Sequence, residues 1–408
     1  MGKILEEKNM SKVNILGLNI SQVKKEEVLE TVRNYLQEDK GHYLVTPNPE
    51  IILKATEDEE LFYIINHADL APPDGAGLFF AGLLMGKILR RYPGSDLSRE
   101  ILNLARENNL RVVLVNSSQG LTRSGEIRKK ILQKFPGLDF KVITVNPYQK
   151  KGGEEKLKSL KPQILLAGLG APYQEKFIFH NLEKIPDLRF AMGVGGSLDF
   201  LADRIARAPQ VFRFLGLEWL WRLLKQPNRA RRIFRAVIVF PLRFLEWRLI
   251  LPWLYRPNVA CLLYKKEGNN YKILLVERKG EKGHWQLPQG GAEGEDLITA
   301  GSRELSEEVN CDCFEAITSS KNLKKYRFEK KGKEITKQKH WGYKGQKQGL
   351  FIAKFTGKDE DISVNFWEHS NWRWVDWKNL KQEIHPVRRD RVEDYLKIFS
   401  REVVRTEN

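Results

Sequence analysis

Three glutamates stand close together in the C-terminal part of the sequence, namely Glu304, Glu307 and Glu308. The stretch from about residue 297 to 309 reads as a helix, and residues three and four apart share one helix face. Like charges so close repel unless a cation lies among them, and carboxylate oxygens suit Mg²⁺ or Mn²⁺. Such an ion bridges diphosphate oxygens and activates water, so the pattern predicts a metal site that acts on diphosphates. The alternative is a solvated acidic helix face.

Glycine and polar residues follow several β-rich runs in the N-terminal half, and helical stretches separate these runs. Strands that alternate with helices predict a mostly parallel sheet with both faces covered, in an α/β fold. Ligands of such sheets bind at the carboxyl ends of the strands, where glycine turns let backbone amides approach a phosphate. The sequence therefore predicts a nucleotide or diphosphate pocket lined by Thr46, Asn48, Asp74, Gly168, Gly170, Gln174, Gly193, Gly195 and Gly196.

Asp74 lies in a Pro-Pro-Asp-Gly turn at one of these strand ends. A carboxylate in that place can accept the proton of a sugar hydroxyl during its attack. The alternative is that Asp74 caps the helix that begins near Gly75, since aspartate is a favoured N-cap residue. The residues by themselves leave both roles open.

The segment from Arg204 to Leu254 is basic, apolar and rich in tryptophan. Charged residues and Pro241 interrupt its apolar run, whereas a spanning helix needs about 20 mostly uncharged residues. A basic amphipathic segment that cannot span is better placed in a membrane interface. The alternative is a helical hairpin that packs on its own domain. Its arginines stand at positions 204, 207, 213, 222, 229, 231, 232, 235, 243 and 248.

Length and composition limit the number of domains, the class of partner and the cellular setting. A chain of 408 residues predicts two or three domains. The net charge of +17 indicates an anionic partner, which could be phosphate, nucleic acid or anionic lipid. The three cysteines form no spaced framework, and the N-terminus lacks an apolar signal core, so we expect a reducing cytosolic setting.

The N-terminal elements can be placed coarsely from periodicity and turn residues. A first strand is expected over 13–20 and a short strand near 68–72. Helices are expected over 24–38, 51–66, 98–108, 120–135 and 173–184.

Several motifs occur in one order over about residues 13 to 245: VTPNPE, APPDGAG, RYPGSDL, LLAGLGAPYQEKF, GVGGSLDFLADRIARAP and GLEWLWRLLKQPNRARR. In this region the chain resembles the WecG/TagA/CpsF glycosyltransferases. The resemblance implies a Rossmann-like domain that transfers N-acetylmannosamine or a related hexosamine from a UDP-sugar. The acceptor is a sugar linked to undecaprenyl diphosphate, the anomeric centre is inverted, and no metal is needed.

The same resemblance implies roles for single residues. Asp74 corresponds to the catalytic base, Thr46 and Asn48 to pocket residues, and Gln174 to a substrate contact. A basic helical appendage closes over the diphosphate and touches the membrane; its residues include Arg204, Arg207, Arg229 and Arg232. Asn116-Ser117-Ser118 stands where the family usually shows a glycine pair, which leaves the donor sugar open.

The C-terminal part carries the Nudix box pattern and resembles the Nudix hydrolases, an α/β/α sandwich fold. YRPNV, HWQLPQGG, GQKQ and NWRWV look like the bacterial RNA pyrophosphohydrolase and dinucleoside polyphosphate hydrolase subgroup. The resemblance implies that Glu304, Glu307, Glu308 and Glu368 hold Mg²⁺ or Mn²⁺, with Glu307, Glu308 or Glu368 helping to activate water. It also implies a pairing of Arg303 with Glu295. Further substrate contacts would be Arg256, Gly291, Arg303, Lys347 and Gln348.

Two departures from the Nudix pattern stand out. The loop from Gly290 to Glu295 is one residue shorter than usual, and Asn310 replaces the glycine that normally follows the helix. Asparagine tolerates a left-handed cap, so the helix end can survive. The short loop could disturb the metal geometry.

The sequence thus predicts a fused protein with a transferase domain over 1–203, a basic appendage over 204–250 and a Nudix domain over 251–408. We expect it at the inner face of the cytoplasmic membrane, as a peripheral protein. The basic, aromatic run 321–347 suits a nucleoside polyphosphate or an RNA 5′ end, or else is an exposed hairpin. Two alternatives remain: a Nudix module that only binds nucleotide and regulates, or a hydrolase with a degenerate transferase half.

Overall fold

The computed structural model describes residues 11–149, 154–205, 209, 212, 218–225, 229–328 and 342–406. Arg207 and the middle of the basic run 321–347 lie outside these residues. The chain forms two compact units that meet between residues 246 and 247, and each is described by itself. The domain boundaries given above stay predictions.

A five-stranded parallel sheet forms the centre of the N-terminal unit, in the order β3-β7-β6-β4-β5. Its inner strands read as nearly continuous apolar runs because helices cover both faces. The prediction of a mostly parallel α/β sheet is confirmed. The strands are β3 (His42–Leu44), β4 (Val112–Ser117), β5 (Phe140–Val145), β6 (Ile164–Gly168) and β7 (Phe190–Gly193).

The helices of this unit alternate with the strands. The larger core cluster joins Leu114 and Leu166 of the sheet to Ile101, Ile127 and Ile131 of the helices. The helices are α1 (Lys25–Tyr35), α2 (Pro49–Ala55), α3 (Glu59–Asn66), α4 (Ala76–Leu84), α5 (Gly94–Glu107), α6 (Ser124–Lys134), α7 (Glu154–Leu160), α8 (Tyr173–Leu182) and α9 (Ser197–Leu201).

Three sequence predictions for this unit were wrong in detail. The expected strand 13–20 is an antiparallel hairpin of β1 (Lys12–Ile15) and β2 (Leu18–Ser21), outside the main sheet. Leu16 and Gly17 turn the chain there with positive φ angles. The expected helix 51–66 is divided into α2 and α3, because Asp58 accepts from the Leu61 amide and begins a new helix. The expected short strand near 68–72 is a single isolated β-bridge between Leu70 and Leu44.

The basic appendage is helical over 218–225 and 230–253. Phe240 and Phe244 are buried, and the arginines lie on its more exposed sides. In the described residues, no helix has both the length and the apolar character that crossing a bilayer requires. The elements are α10 (Glu218–Lys225), α11 (Ala230–Phe234), a π-helical turn (Arg235–Val239), α12 (Phe240–Leu245), a second π-helical turn (Glu246–Ile250) and a 3₁₀ turn (Leu251–Trp253).

A mixed seven-stranded sheet forms the C-terminal unit, with β8 paired parallel to β13 and the other pairs antiparallel. One helix packs on each face, which confirms the predicted α/β/α sandwich. The strands are β8 (Tyr255–Glu267), β9 (Asn270–Arg278), β10 (Trp285–Gln286), β11 (Gln289–Gly291), β12 (Phe314–Arg327), β13 (Gly345–Phe355) and β14 (His369–Asp376). The helices are α13 (Leu297–Val309), α14 (Leu380–Glu383) and α15 (Arg389–Phe399).

Helix α13 carries the glutamates and has a defined cap at each end. The Asp296 carboxylate accepts from the amides of Ile298 and Thr299 at its start. Asn310 ends it with φ 49°, in the left-handed conformation. The expectation that asparagine can replace the usual glycine at this cap is confirmed.

Gly301 lets α13 pack closely on strand β13. A Cβ added there would lie 2.4 and 2.5 Å from two ring atoms of Phe351 and 2.6 Å from the Phe351 Cβ. We predict that Gly301→Ala destabilises the C-terminal unit, because overpacking costs about 1–3 kcal/mol. The better helix propensity of alanine offsets at most about 1 kcal/mol of this. Denaturant unfolding followed by tryptophan fluorescence measures the difference.

Gly125→Ala in α6 is the matched control, since nothing lies within 4 Å of an added Cβ there. We expect this control to gain stability by up to about 1 kcal/mol. A Gly301→Ala protein as stable as the unmodified chain would show that the helix can move away from the strand.

Candidate functional site

The loops after all five parallel strands enclose one large cleft of about 590 Å³. Parallel strands bring their carboxyl ends to the same edge, and the cleft lies at that edge, as the alternating pattern predicts. Glycine turns form part of its wall. The predicted residues Thr46, Asn48, Asp74, Gly168, Gly170, Gln174, Gly193, Gly195 and Gly196 all line it.

Asp74 lies where this cleft meets a smaller hollow of about 200 Å³, since it lines both. Its Oδ1 is 3.8 Å from the Arg91 guanidinium, and its Oδ2 accepts from the Gly94 amide at 3.4 Å. The N-cap residue of α4 is Gly75 and not Asp74. The Asp74 carboxylate accepts from the first amide of α5, and its roles as a base and as a helix cap both stay predictions.

Thr46 and Asn48 lie in the loop after β3. The Asn48 Oδ1 accepts from the Ile51 amide at 2.9 Å and caps α2. Thr46 is nearly buried, and its Oγ1 would be 3.1 Å from a Cβ at Gly94. Both side chains thereby fix the loops on either side of Asp74 while they line the cleft.

Gln174 joins two of the glycine turns. Its Oε1 accepts from the amides of Gly170, at 3.1 Å, and Gly195, at 2.9 Å. Its Nε2 donates to the Glu175 carboxylate at 2.7 Å. A Cβ at Gly193 would lie 2.5 Å from the Gln174 amide, so only glycine fits there. The structure therefore gives Gln174 a role in shaping the cleft, and its predicted substrate contact stays a prediction.

Four arginines of the appendage reach the cleft. Arg229 and Arg232 line both hollows, and Arg231 and Arg235 line the larger one. The Arg232 guanidinium holds the Glu50 carboxylate with three contacts of 2.9–3.0 Å. Burial acts to raise the pKa of Glu50, but Arg232 and Lys54 together outweigh it, so the pKa is lowered.

Arg204 has a different position from the other appendage arginines. It is exposed and is not among the residues that line either hollow, although its backbone amide donates to the Asp199 carbonyl. Arg207 lies outside the described residues. A direct substrate contact by either arginine stays a prediction.

Several cleft residues were not selected from the sequence as site residues. Asn116 is buried and donates to the Thr122 carbonyl, at 2.9 Å, which shapes the loop after β4. Tyr148 and Tyr173 form an aromatic pair at 5.1 Å along the cleft. Only Asn116 gave a sequence signal, since it stands where a glycine pair is usual; the tyrosines lie in unremarkable turns.

The second candidate site lies around α13 in the C-terminal unit. Arg303 donates to the Glu295 carboxylate and to the Gly291 carbonyl, each at 2.9 Å. It also contacts Glu304 at 2.9 Å and Glu307 at 3.3 Å. The predicted pairing of Arg303 with Glu295 is present, so the shortened loop still lies against the helix.

Glu308 joins residues from two distant parts of the chain. Its carboxylate is 3.0 Å from the His369 Nε2 and accepts from the Gln289 amide at 3.2 Å. Potential ligand atoms of Glu308, Glu368 and His369 lie within 4.8 Å of one another. Carboxylate oxygens with one imidazole nitrogen suit Mg²⁺, Mn²⁺ or a transition metal. His369 follows the predicted Glu368 directly, but no motif in the sequence marked it as a site residue.

Glu304 and Glu307 have unequal surroundings on the same helix. Glu304 is buried, and a Cβ at Gly290 would overlap its carboxylate. Glu307 is half exposed and faces Arg303. The cluster of Glu308, Glu368 and His369 fits a divalent cation, and among the described residues it includes neither Glu304 nor Glu307. The metal-binding roles of Glu304 and Glu307 stay predictions.

The predicted phosphate contacts of this unit lie on two neighbouring strands, with Arg256 on β8 and both Lys347 and Gln348 on β13. Arg256 forms an ion pair with Glu293 at 2.5 Å. Gln348 is buried, with its amide donating to Asn258 and Gln289. Its carbonyl oxygen accepts from two residues of α15, Arg391 and Tyr395. Lys347 is next along β13. Substrate contacts of Arg256, Lys347 and Gln348 stay predictions.

Two family models match the chain. The model of the "Glycosyl transferase WecG/TagA/CpsF family" matches residues 13–252, and that of the "NUDIX domain" matches residues 254–395.

Curated relatives match the first part. An N-acetylglucosaminyldiphosphoundecaprenol N-acetyl-beta-D-mannosaminyltransferase of Bacillus spizizenii is 33% identical over 208 residues, which is 50% of this chain and 79% of the relative. A protein of the same name from Staphylococcus aureus is 30% identical over 241 residues, which is 58% of this chain and 92% of the relative.

Solved structures match the second part. The C. elegans Ap4A hydrolase binary complex is 21% identical, covers 34% of this chain and 94% of its own, and has a TM-score of 0.26. The E. coli dihydroneopterin triphosphate pyrophosphohydrolase is 19% identical, covers 35% and 97%, and has a TM-score of 0.27.

Glu175 is a buried acid beneath the first cleft, and its titration can be measured. Burial raises its pKa to about 7 from an ordinary value of 4.5. The folded protein therefore keeps the proton up to about pH 7, whereas the unfolded chain releases it near pH 4.5. Stability is lost as the pH rises through this window, by about 3 kcal/mol in total.

We predict that Glu175→Gln removes this loss, because glutamine still offers an oxygen to Gln174 but carries no charge. The free energy of unfolding of the variant minus that of the unmodified protein should be about 3 kcal/mol larger at pH 8 than at pH 4. Denaturant unfolding at both pH values measures this. Glu155→Gln on the exposed side of α7 is the control. Equal pH dependence in all three proteins would mean that Glu175 is ionised in the fold at little cost.

Proposed function

The chain belongs to the WecG/TagA/CpsF family of glycosyltransferases and carries a NUDIX domain that follows in the sequence, and we therefore propose that it is a bifunctional enzyme. The first activity transfers N-acetylmannosamine or a related hexosamine from a UDP-sugar. The acceptor is a sugar linked to undecaprenyl diphosphate. The names of the relatives support this choice of sugar and acceptor. The second activity is a Mg²⁺- or Mn²⁺-dependent cleavage of a nucleoside polyphosphate or an RNA 5′ end.

The position of Asp74 at the junction of the two hollows carries the first proposal. The larger hollow has the glycine turns that suit the donor diphosphate, and the smaller has apolar walls with Arg229 and Arg232 at its edge. Asp74 accepts the proton of the acceptor hydroxyl while its oxygen attacks the anomeric carbon and UDP leaves. One such displacement inverts the anomeric centre.

Charge in the cleft supports the departure of UDP. Glycine in the turns after β6 and β7 lets the backbone approach a phosphate closely. The Gly170 and Gly195 amides already donate to Gln174, so the positive charge for the phosphates comes from arginine side chains. Arg231 and Arg235 line the same hollow and add positive charge there. Arg91 lies 3.8 Å from Asp74 and adds a further positive charge beside the proposed base. These groups can offset the leaving charge without a metal ion.

We predict that Asp74→Asn lowers transfer by about 10²–10⁴-fold, the usual contribution of a general base. Asparagine keeps the shape of the side chain and its contact with the Gly94 amide but is not basic. The assay follows transfer from UDP-N-acetylmannosamine to a lipid-diphosphate acceptor. Asp187→Asn is the control, since Asp187 forms a surface ion pair with Arg111 away from the cleft. Turnover of Asp74→Asn near that of the control would disprove the role of Asp74 as the base.

The cluster of Glu308, Glu368 and His369 beside Glu304 carries the second proposal. A divalent cation bound there supplies charge for the diphosphate oxygens and lowers the pKa of a water. Glu304 and Glu308 would hold it, and the partly exposed Glu368 can take a proton from the attacking water. His369 holds the Glu308 carboxylate in place at 3.0 Å.

A basic, aromatic surface on the same unit supports an anionic nucleotide substrate. Lys325 and Lys344 both lie over the Tyr255 ring, at 6.0 and 4.5 Å. Lysines bind phosphates as point charges, and aromatic faces stack on bases.

We predict that Glu308→Gln abolishes Mg²⁺-dependent hydrolysis and the rise in melting temperature that bound Mg²⁺ causes. Without metal the variant should melt no lower than the unmodified chain, because repulsion with Glu304 falls. The substrates are triphosphorylated RNA, dinucleoside polyphosphates and nucleoside triphosphates. Glu360→Gln at an exposed position of the same unit is the control. If the unmodified chain cleaves none of these substrates with Mg²⁺ but still binds nucleotide, a regulatory module replaces the proposed hydrolase.

A further inference from the structure

Asn365 is a buried polar residue in the loop that leads into β14 of the C-terminal unit. Its exposed fraction is 2%, and a buried amide costs free energy unless its donors and acceptors are hydrogen bonded. Four hydrogen bonds join Asn365 to Glu308, Glu368 and His369. These three residues are the ones whose possible ligand atoms lie close together. The position of Asn365 therefore bears on the geometry of the proposed metal site.

The backbone of Asn365 joins the two parts of the chain that carry this cluster. Its amide donates to the Glu308 carbonyl at 3.1 Å, and its carbonyl accepts from the His369 amide at 3.1 Å. Glu308 is in the last turn of α13, where backbone carbonyls have no partner within the helix. The Ser363 amide similarly donates to the Val309 carbonyl at 3.0 Å. The loop is thus fixed to the helix end because it supplies donors that the helix lacks.

The side chain of Asn365 holds Glu368 by two further bonds. Its Oδ1 accepts from the Glu368 amide at 3.0 Å, and its Nδ2 donates to the Glu368 Oε2 at 3.3 Å. The same Oε2 lies 4.0 Å from the His369 Nε2, which in turn is 3.0 Å from the Glu308 carboxylate. The bond from Asn365 therefore reaches the Glu368 oxygen that is nearest to the other cluster members.

Asparagine suits this position because its side chain offers an acceptor and a donor without charge. Aspartate would accept from the Glu368 amide but would place a second negative group beside the Glu368 carboxylate. An apolar side chain would offer neither bond. The Glu368 side chain is 38% exposed, so solvent competes with the cluster for its carboxylate. The Nδ2 donor of Asn365 opposes this competition.

We propose that Asn365 is a positioning residue of the metal site, an inference that rests on the proposed hydrolase. Asn365 directs the Glu368 carboxylate into the cluster and attaches it to the helix that carries Glu308. Groups that hold metal ligands in place contribute about 10–100-fold to metal affinity or activity. The competing explanation is that Asn365 only shapes the turn before β14, a common role of asparagine.

The first test is Mn²⁺ binding to the full chain, measured from the electron paramagnetic resonance signal of the unbound ion. We expect Asn365→Ala to raise the Kd of the site that Glu308→Gln removes, by about 10–100-fold. Asn310→Gly is the matched control, because Asn310 donates to the Ser363 carbonyl at 2.8 Å and holds the same loop to the same helix end. Glycine adopts the left-handed conformation of this cap. The inference is overturned if both variants have the same Kd.

A second variant separates the turn from the carboxylate. Serine at this position supports the same kind of turn, but its shorter side chain does not reach the Glu368 carboxylate. We expect Asn365→Ser to weaken Mn²⁺ binding as Asn365→Ala does. An unchanged Kd in Asn365→Ser would show that shaping the turn is sufficient, which would overturn the inference. Melting temperatures without metal show whether each variant is folded, and if Asn365→Ala is not, Asn365→Ser decides.

Hydrolysis assays separate this inference from the proposed function. At saturating Mg²⁺ we expect Asn365→Ser to lower kcat and leave KM unchanged, because Asn365 acts through Glu368, which takes the proton of the attacking water. A raised KM with unchanged kcat would place Asn365 in substrate binding and overturn its positioning role. If the unmodified chain binds Mn²⁺ through Glu308 but cleaves no substrate, the proposed hydrolase fails, and the Mn²⁺ affinities still decide the role of Asn365. If the unmodified chain binds no Mn²⁺, the metal site fails and the inference fails with it.

Discussion

The Gln174 amide is the interaction on which the first site depends. One side chain accepts from the turns after two neighbouring strands, at Gly170 and Gly195, and thereby sets the width of the cleft between them. Its orientation is set by the donor bond to Glu175, a buried acid whose pKa burial raises to about 7. A polar pair in this place costs desolvation, but it keeps the amides of both turns in fixed positions. The cleft is therefore preorganised before any donor binds.

Arg303 has a comparable role in the other unit. It binds the carbonyl of Gly291 and the Glu295 carboxylate, and so holds a glycine loop against the helix that carries the acids. The loop is one residue shorter than the usual pattern, yet these contacts are made. Its positive charge also compensates Glu304 and Glu307 in the same helix. A single guanidinium thus supports both the backbone geometry and the charge balance of the proposed metal site.

Ion pairs hold the middle of the appendage on the transferase unit. Glu50 of α2 binds Arg232, and Glu57 after α2 binds Arg235 at 2.6 Å, which holds this part of the appendage at the cleft. Arg231 lines the same cleft from a more exposed position. The wall that the appendage adds to the cleft is therefore basic and is fixed by contacts between residues far apart in the chain.

Local patterns in the sequence determined the class of each half. Strand and helix periods indicated the parallel sheet and its ligand edge, and the spacing of Glu304, Glu307 and Glu308 indicated one helix face, because both depend on residues near in the chain. The hairpin at 13–20 was misjudged, since its turn at Leu16 and Gly17 uses positive φ angles that the apolar pattern hides. Only the tertiary structure decided the distant pairs: His369 meets Glu308 across 61 positions, and Arg232 meets Glu50 across 182. The exposure of Phe80 and Leu84 was also visible only in the tertiary structure, because burial depends on what packs against a helix and not on its own composition.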